Sequence, residues 1–335
     1  MQLQFSFIIP VYNRPEEIQE LLESFMALTG DKDFEIVIVE DGSTKPSQEI
    51  AKSFLSNLNI SYYQKSNSGP GDSRNYGMRK AKGDYFIILD SDCILPNQYL
   101  QEVKKGLEIE YVDCFGGPDA AHSSFSKLQK AINFSMTSFF TTGGIRGRAK
   151  SLTRFEPRSF NMGLSKIAFL KTNGFGQIHP GEDPDLSIRL TNLGFKTKLL
   201  PNAFVYHKRR LSWSKFYTQV YKFGSVRPIL NSWHPSTKKI TYWLPTCFLF
   251  FVIFSLVLSG FQFYLPIVLL GLYYALVFVL SLLKTKHLVI AIQALIAVNI
   301  QFLGYGYGFV KSTLKLMVSN KPAAELFPKL FFKPL

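Results

Sequence analysis

A chain of 335 residues has room for one sizeable α/β domain and additional material, and its 47% hydrophobic content with positive mean hydropathy exceeds what an ordinary water-soluble core requires. Its three cysteines, Cys93, Cys114 and Cys247, stand in no CxxC or Cys/His spacing, which argues against a disulfide framework or a zinc site and makes a reducing compartment the expectation. The net charge of +14 lies in the second part: residues 186–335 hold 18 Lys/Arg against the single Glu325. Because this stretch leads into apolar segments, it points to an anionic membrane surface and away from nucleic acid.

The first ten residues, MQLQFSFIIP, lack a charged leader region and a small-residue cleavage site and run straight into a strand, so no signal peptide is expected. FSFIIPV, FEIVIV, ISYY and YFIIL read as strands. Helices are predicted from about Pro15 through Leu28, near Ser47 to Leu55, and from Asp72 to Ala81. Strand and helix in alternation predict βαβ units and a parallel sheet, whose ligands bind at the carboxyl ends of the strands. Polar residues gather at three such ends: Tyr12 and Asn13, then Glu40, Asp41, Gly42 and Ser43, then Asp90 and Asp92.

Between Gly116 and Arg158 the periodicity fades, and TTGGIRGRAK reads as a loop. FNMGLSKIAFLKTNGF resumes as strand then helix. HPGEDPDLSIRLTNLGF follows as loop then helix, with Leu186, Leu190 and Leu193 on one buried stripe, Pro184 at the first helical position and Gly194 ending it. Trp213, Phe216, Tyr217, Val220 and Tyr221 share one helical face, which suits an interfacial amphipathic helix or a core helix.

Three apolar stretches come next, at about 240–259, 265–283 and 288–310, each near the ~20 residues a membrane span requires. The third carries Gln293, Asn299, Gln301 and three glycines, so it either packs against its neighbours or lies partly in the interface. Lys238, Lys239, Lys284 and Lys286 flank the first two, whereas residues 260–264 carry no charge, an asymmetry that predicts a cytoplasmic catalytic half in a multi-pass inner-membrane protein. Five lysines in the tail run against this, since three full spans would put them outside. The domain expectation is a catalytic region over 1–232 (1–115, 116–211 and, as the interfacial helix, 212–232) and a membrane region over 233–335.

Asp90-Ser91-Asp92 can hold a hard divalent cation, which favours oxygen ligands and commonly shares them with phosphates; the same residues also suit a solvated, capping loop. VEDGS is a turn by composition, at a strand end where Asp41 can accept hydrogen bonds from a base or ribose. NSGPGDSRNYG opens a helix whose amides can meet an anion, with Asp72 as its N-cap and Arg74 as a phosphate contact. Asp183 reads either as the N-cap of its helix or as a base. His207 in VYHKRR can ligate a cation, touch a diphosphate, or merely end a strand.

In order and spacing, FIIPVYNR, VEDGS, SRNYG, GDYFIILDSD, FNMGLS and GEDPDLSIRLTNLG resemble the family 2 glycosyltransferases of bacterial type, over about residues 3–227. The resemblance implies a GT-A fold, a Rossmann-like, mostly parallel α/β sheet, here followed by transmembrane helices. It also implies that Asp41 binds the nucleotide, that Asp90 and Asp92 bind the donor diphosphate through Mg²⁺ or Mn²⁺, and that Asp183 is the acceptor's general base. On this basis Pro10, Tyr12, Asn13, Asp41, Arg74, Asp90 and Ser91 are expected to bind donor, Asn161 and Glu182 acceptor, and Asp90, Asp92 and His207 metal. The expected activity is inverting transfer of one sugar from a nucleotide-diphospho-sugar to a lipid-linked or saccharide acceptor in cell-envelope synthesis. Processive members of that family carry Gln-x-x-Arg-Trp where this chain has QVYKF, Gln219 to Phe223, which argues for single transfer. A sugar nucleotidyltransferase and an inactive membrane scaffold are the competing readings.

Overall fold

Three of the apolar runs are strands buried on both faces, and ISYY is a partly buried edge strand. In a computed structural model that describes residues 3–120, 125–142, 155–207 and 212–332, they form β1 (Phe5–Val11), β2 (Phe34–Asp41), β3 (Ile60–Lys65) and β4 (Tyr85–Leu89). Helices α1 (Pro15–Met26), α2 (Gln48–Ser53) and α3 (Pro70–Lys80) connect them. Phe7, Ile9, Ile36, Ile38 and Ile87 enter one core, while Ile8, Val37, Val39, Phe86 and Ile88 enter a second on the opposite face. Both cores are fed by every strand because side chains alternate, so no position on β1 or β4 is left for water. A Cβ on Gly77 of α3 would come within 2.7 Å of Ile8 Cγ2, so the SRNYG glycine lets that helix lie close on the sheet.

The chain continues through β5 (Cys93–Ile94), α4 (Tyr99–Ile109), β6 (Cys114–Gly116), β7 (Asp119–Ala120), α5 (Lys127–Thr137), α6 (Phe139–Thr142), β8 (Asn161–Ser165), α7 (Lys166–Thr172), α8 (Glu182–Asn192), β9 (Thr197–Leu199) and β10 (Val205–His207). The main sheet has the order β3-β2-β1-β4-β8-β6-β9; β1 to β4 run parallel, and β8 runs antiparallel to both β4 and β6. It is therefore mixed rather than all parallel. The chain builds outward from β1 through β2 to β3 and then returns to β1's other side with β4. That reversal opens the crevice at their carboxyl ends, where the loops after β1 and β4 diverge. A small sheet, β5-β10-β7, pairs His207 with Cys93.

Three local expectations are corrected. Helix α3 starts at Pro70 with Gly69 (φ +92°) as its N-cap, so Asp72 lies within its first turn. Helix α8 starts at Glu182 with Gly181 (φ +126°) as cap, so Asp183 is not a cap and Pro184 stands third in the helix. In both places a left-handed glycine makes the entry, a conformation an Asp cap does not adopt readily. Leu186 and Leu190 are buried as expected, but Leu193 is exposed past the last turn. Most of TTGGIRGRAK, and Lys208 to Arg210 of VYHKRR, lie outside the described residues.

The described residues divide into two units. Residues 3–120, 155–207 and 331–332 form the sheet unit. Residues 125–142 and 212–330 form a helical unit, so α5 and α6, expected in the catalytic region, group with the later helices. There α9 (Trp213–Trp233), α10 (Leu244–Gly260), α11 (Leu265–Thr285), α12 (Leu288–Met317) and the short α13 (Ala323–Leu326) follow. Three segments, Ile240–Gly260, Leu265–Thr285 and Leu288–Met317, are long and apolar enough to cross a membrane, and most of their apolar surface faces outward. In α12 Asn299 and Gln301 are used in packing: Asn299 Oδ1 accepts from Tyr274 at 2.5 Å, and Gln301 Nε2 donates to the Thr141 carbonyl. The aromatic face of α9 is taken up largely by packing, with Phe216 and Val220 clustered on Ile132, Met136 and Ala297; Tyr217 stays 40% exposed.

Candidate active site

The loop after β1 begins at Tyr12, which is half exposed and free to stack on a planar group. Asn13 adopts φ 54°, and its Oδ1 accepts from the Thr44 and Lys45 amides at 2.8 and 3.0 Å, pinning the loop after β2 to the loop after β1. Pro10 is buried inside β1. Asn13 is thus a loop anchor.

Asp41 is 3% exposed, and its two oxygens take four donors: Lys65 Nζ (2.5 Å) and the Ser68 amide (3.0 Å) on one, the Gly69 amide (2.9 Å) and Asn67 Nδ2 (3.3 Å) on the other. A carboxylate has about four acceptor positions, so Asp41 is saturated by Lys65 of β3 and the β3–α3 loop, and a base or ribose would have to displace one of these donors. Asn161, expected at the acceptor, is fully buried: it accepts from Tyr99 OH at 2.6 Å and donates to the Ala203 carbonyl at 2.8 Å.

At the end of β4 the two carboxylates face cations. Asp92 Oδ2 accepts from Arg14 Nη1 at 2.6 Å, and Asp92 Oδ1 lies 3.1 Å from His207 Nε2, carried there by β10. Asp90 Oδ1 accepts from Arg74 Nη2 at 2.7 Å, and Ser91 is buried in the turn between them. Burial alone would raise the Asp92 carboxyl, but His207 and then Arg14 outweigh it and hold it well below the usual carboxylate range.

Arg74, itself buried, also donates through Nη1 to Glu182 Oε1 at 3.1 Å and lies over the Phe175 ring. His179 Nδ1 stands 3.0 Å from the same Glu182 oxygen, while buried Glu182 Oε2 has no hydrogen-bond partner among the described residues. Next to it, Asp183 is 3.6 Å from Arg158. Burial pushes the Asp183 carboxyl up; Arg158 pulls the other way, Glu182 adds to the rise, and the raised state prevails. Through Arg74 the first turn of α8 and the end of β4 share one crevice.

The donor set fits a hard cation. Neighbouring ligands of an octahedral ion at about 2.1 Å stand roughly 3 Å apart, close to the 3.1 Å between Asp92 Oδ1 and His207 Nε2, with Asp90 Oδ2 4.0 Å from that nitrogen. Cys93 Sγ lies in the same cluster, but burial drives its thiol well above its usual value and a thiol suits softer metals.

The family model described as Glycosyl transferase family 2 matches residues 6–169. Those residues are a family 2 glycosyltransferase domain. A poly(ribitol-phosphate) β-N-acetylglucosaminyltransferase, TarS, of Staphylococcus aureus is 31% identical over 114 residues, which is 33% of this chain and 20% of that protein. An uncharacterised glycosyltransferase of Rickettsia conorii is 42% identical over 105 residues, 31% of this chain and 17% of that one. The chain spans about a fifth of the length of these curated relatives. Among solved structures, a mannosyltransferase of Pyrobaculum calidifontis, in complex with GDP-Man and Mn²⁺, superposes with a TM-score of 0.62 at 16% identity, covering 90% of this chain and 88% of that one. The glycosyltransferase domain therefore has the GT-A fold, followed by three apolar helices.

Sequence reasoning named Asp90, Asp92, Arg74, Glu182, Asp183 and His207, and the structure brings them together. It did not single out Arg14, Lys65, Arg158 or His179. Arg14 was within reach of the strand-end argument, standing one residue past Asn13, and His179 stands three residues before Glu182; Lys65 and Arg158 meet their carboxylates only through long-range packing.

Proposed function

We propose that the glycosyltransferase domain moves a single sugar from a nucleotide-diphospho-sugar to an acceptor hydroxyl with inversion at the anomeric carbon. The observation that carries this reading is the pairing, through Arg74, of a cation-binding carboxylate turn with a second, independently placed carboxylate, Asp183. A divalent cation on Asp90, Asp92 and His207 would supply electrophilic help at the leaving diphosphate. Arg74 orients Asp90 and fixes the first turn of α8. Tyr12 stacks on the base. Asp183 takes the acceptor hydroxyl's proton as the oxygen attacks, and its raised carboxyl makes it a better base than an exposed aspartate. One base on the face opposite the leaving group suffices for inversion. Glu182, with a spare buried oxygen, and His179 contact the acceptor.

The apolar helices and flanking lysines support a membrane-bound enzyme with its catalytic domain on the cytoplasmic side and a lipid-linked or saccharide envelope acceptor. Purified full chain in detergent, offered UDP-, GDP- and dTDP-sugars with Mn²⁺, is expected to show thermal stabilisation by one donor and release of its nucleoside diphosphate. Product NMR should show the opposite anomer. Absence of stabilisation and of nucleotide release with every donor, or retention of configuration, would sink the reading.

A further inference from the structure

Arg14 differs from the other cation on the paired carboxylates. Arg74 is buried, bound to two carboxylates and stacked on Phe175, so displacing it takes a charge partner from both Asp90 and Glu182. The Arg14 side chain is 33% exposed and its hydrogen bond goes to Asp92, whose side chain is 13% exposed. Its backbone is well held, since Asn13 before it is locked in the left-handed region and Pro15 after it starts α1. The root is fixed and the head borders solvent.

We propose that Arg14 is an exchangeable counter-ion: it holds Asp92 when no divalent cation is bound and transfers to the donor's diphosphate when cation and nucleotide bind together. The inference rests on the metal reading given above. With His207 on Oδ1 and Arg14 on Oδ2, a lone divalent cation must compete with a guanidinium already in hydrogen-bond contact and then sit beside its positive charge. A diphosphate reverses that opposition. It brings negative charge to the same place, and the planar guanidinium fork that fits a carboxylate fits phosphate oxygens equally well. Cation and nucleoside diphosphate should therefore strengthen each other's binding, by the same factor in either order.

The test is Mn²⁺ binding to the detergent-solubilised full chain, followed by the EPR signal of free Mn²⁺, alone and with saturating UDP or, in parallel, GDP. Wild type is expected to bind Mn²⁺ weakly alone and about tenfold or more tightly with one of the two nucleotides, within the usual range of such couplings. Arg14→Gln should bind Mn²⁺ alone several-fold more tightly than wild type, with the nucleotide effect shrinking towards unity and the thermal midpoint unchanged. Equal or weaker Mn²⁺ binding by Arg14→Gln, or no nucleotide effect in wild type, overturns the proposal. Asp92→Asn separates the two ideas. Wild-type Mn²⁺ binding by Asp92→Asn removes the metal reading itself, whereas its loss together with an unaltered Arg14→Gln removes the Arg14 proposal alone.

Discussion

Arg74 Nη1 lies 3.1 Å from Glu182 Oε1, a contact between residues 108 positions apart that ties the helix after β3 to the first turn of α8. Both side chains are about 95% buried. Removing the cation takes one of two positive partners, Arg74 and His179, from a buried carboxylate, and breaking a buried pair typically costs about 3–5 kcal/mol. Arg74→Met is expected to lower the thermal midpoint by roughly 10 °C, and Glu182→Gln in the same chain should restore part of that loss. A midpoint within 2–3 °C of wild type (about 1 kcal/mol) would show that the bridge adds little.

Asp183→Asn should keep the fold and donor affinity and lose about 10² to 10⁴ in transfer rate, the usual worth of general-base assistance. With Gly181 as the cap, no capping role for Asp183 confuses the result. Transfer within a few-fold of wild type would move the search for the base to Glu182.

The pH profile follows from the same carboxyl. A base must be ionised, and burial raises Asp183 above its ordinary value of 3.8, so the acidic limb of the transfer rate should fall at a pH above that of an exposed aspartate. A rate that stays flat down to pH 4, in a protein still folded there, would contradict the assignment.

Glu182 and Asp183 are adjacent and contribute to stability with opposite signs. Burial alone would raise Glu182, but His179 and then Arg74 hold it at about 2, against 4.5 unperturbed. Its folded value is the lower one, so its stabilisation is present above about 4.5 and is lost as pH falls towards 2. Asp183 has the higher folded value, so its contribution is full below 3.8 and is lost as pH rises through the raised value. Thermal midpoints measured between pH 2 and 7 should show a shallower acid loss in Glu182→Gln than in wild type. A parallel pair of curves would contradict this.

In the helical unit, a Cβ on Gly308 would stand 2.4 Å from the Tyr221 carbonyl oxygen, and one on Gly224 2.1 Å from that of Tyr305. These are backbone contacts that cannot give way cheaply, so α9 and α12 approach closely only because both positions are glycine. Gly308→Leu is expected to lower the yield of monodisperse protein in detergent and expose the Tyr221 region of α9 to proteolysis, while Gly271→Leu, where a Cβ meets open space, should do neither.

The sequence by itself determined the elements whose cause is local. Strands β1, β2 and β4 are apolar runs with strand-breaking neighbours, three C-terminal segments match the thickness of a bilayer, and Asp90 and Asp92 follow a strand that must be central because it has no polar face. The paired carboxylates and the GT-A expectation were legible for that reason. Tertiary structure alone decided which side chains meet across long separations: His207 reaches Asp92 only because β10 pairs with β5, Arg14 only because β1 and β4 lie side by side at the reversal in strand order. It also decided that Asp41, a polar residue in a suggestive motif, is saturated by its own chain and that Asn161 is fully buried and bonded to Tyr99 and Ala203. A motif fixes which donors and acceptors a residue owns, but whether they remain available depends on every neighbour that folding brings within 3 Å, and that information is distributed over the whole sheet.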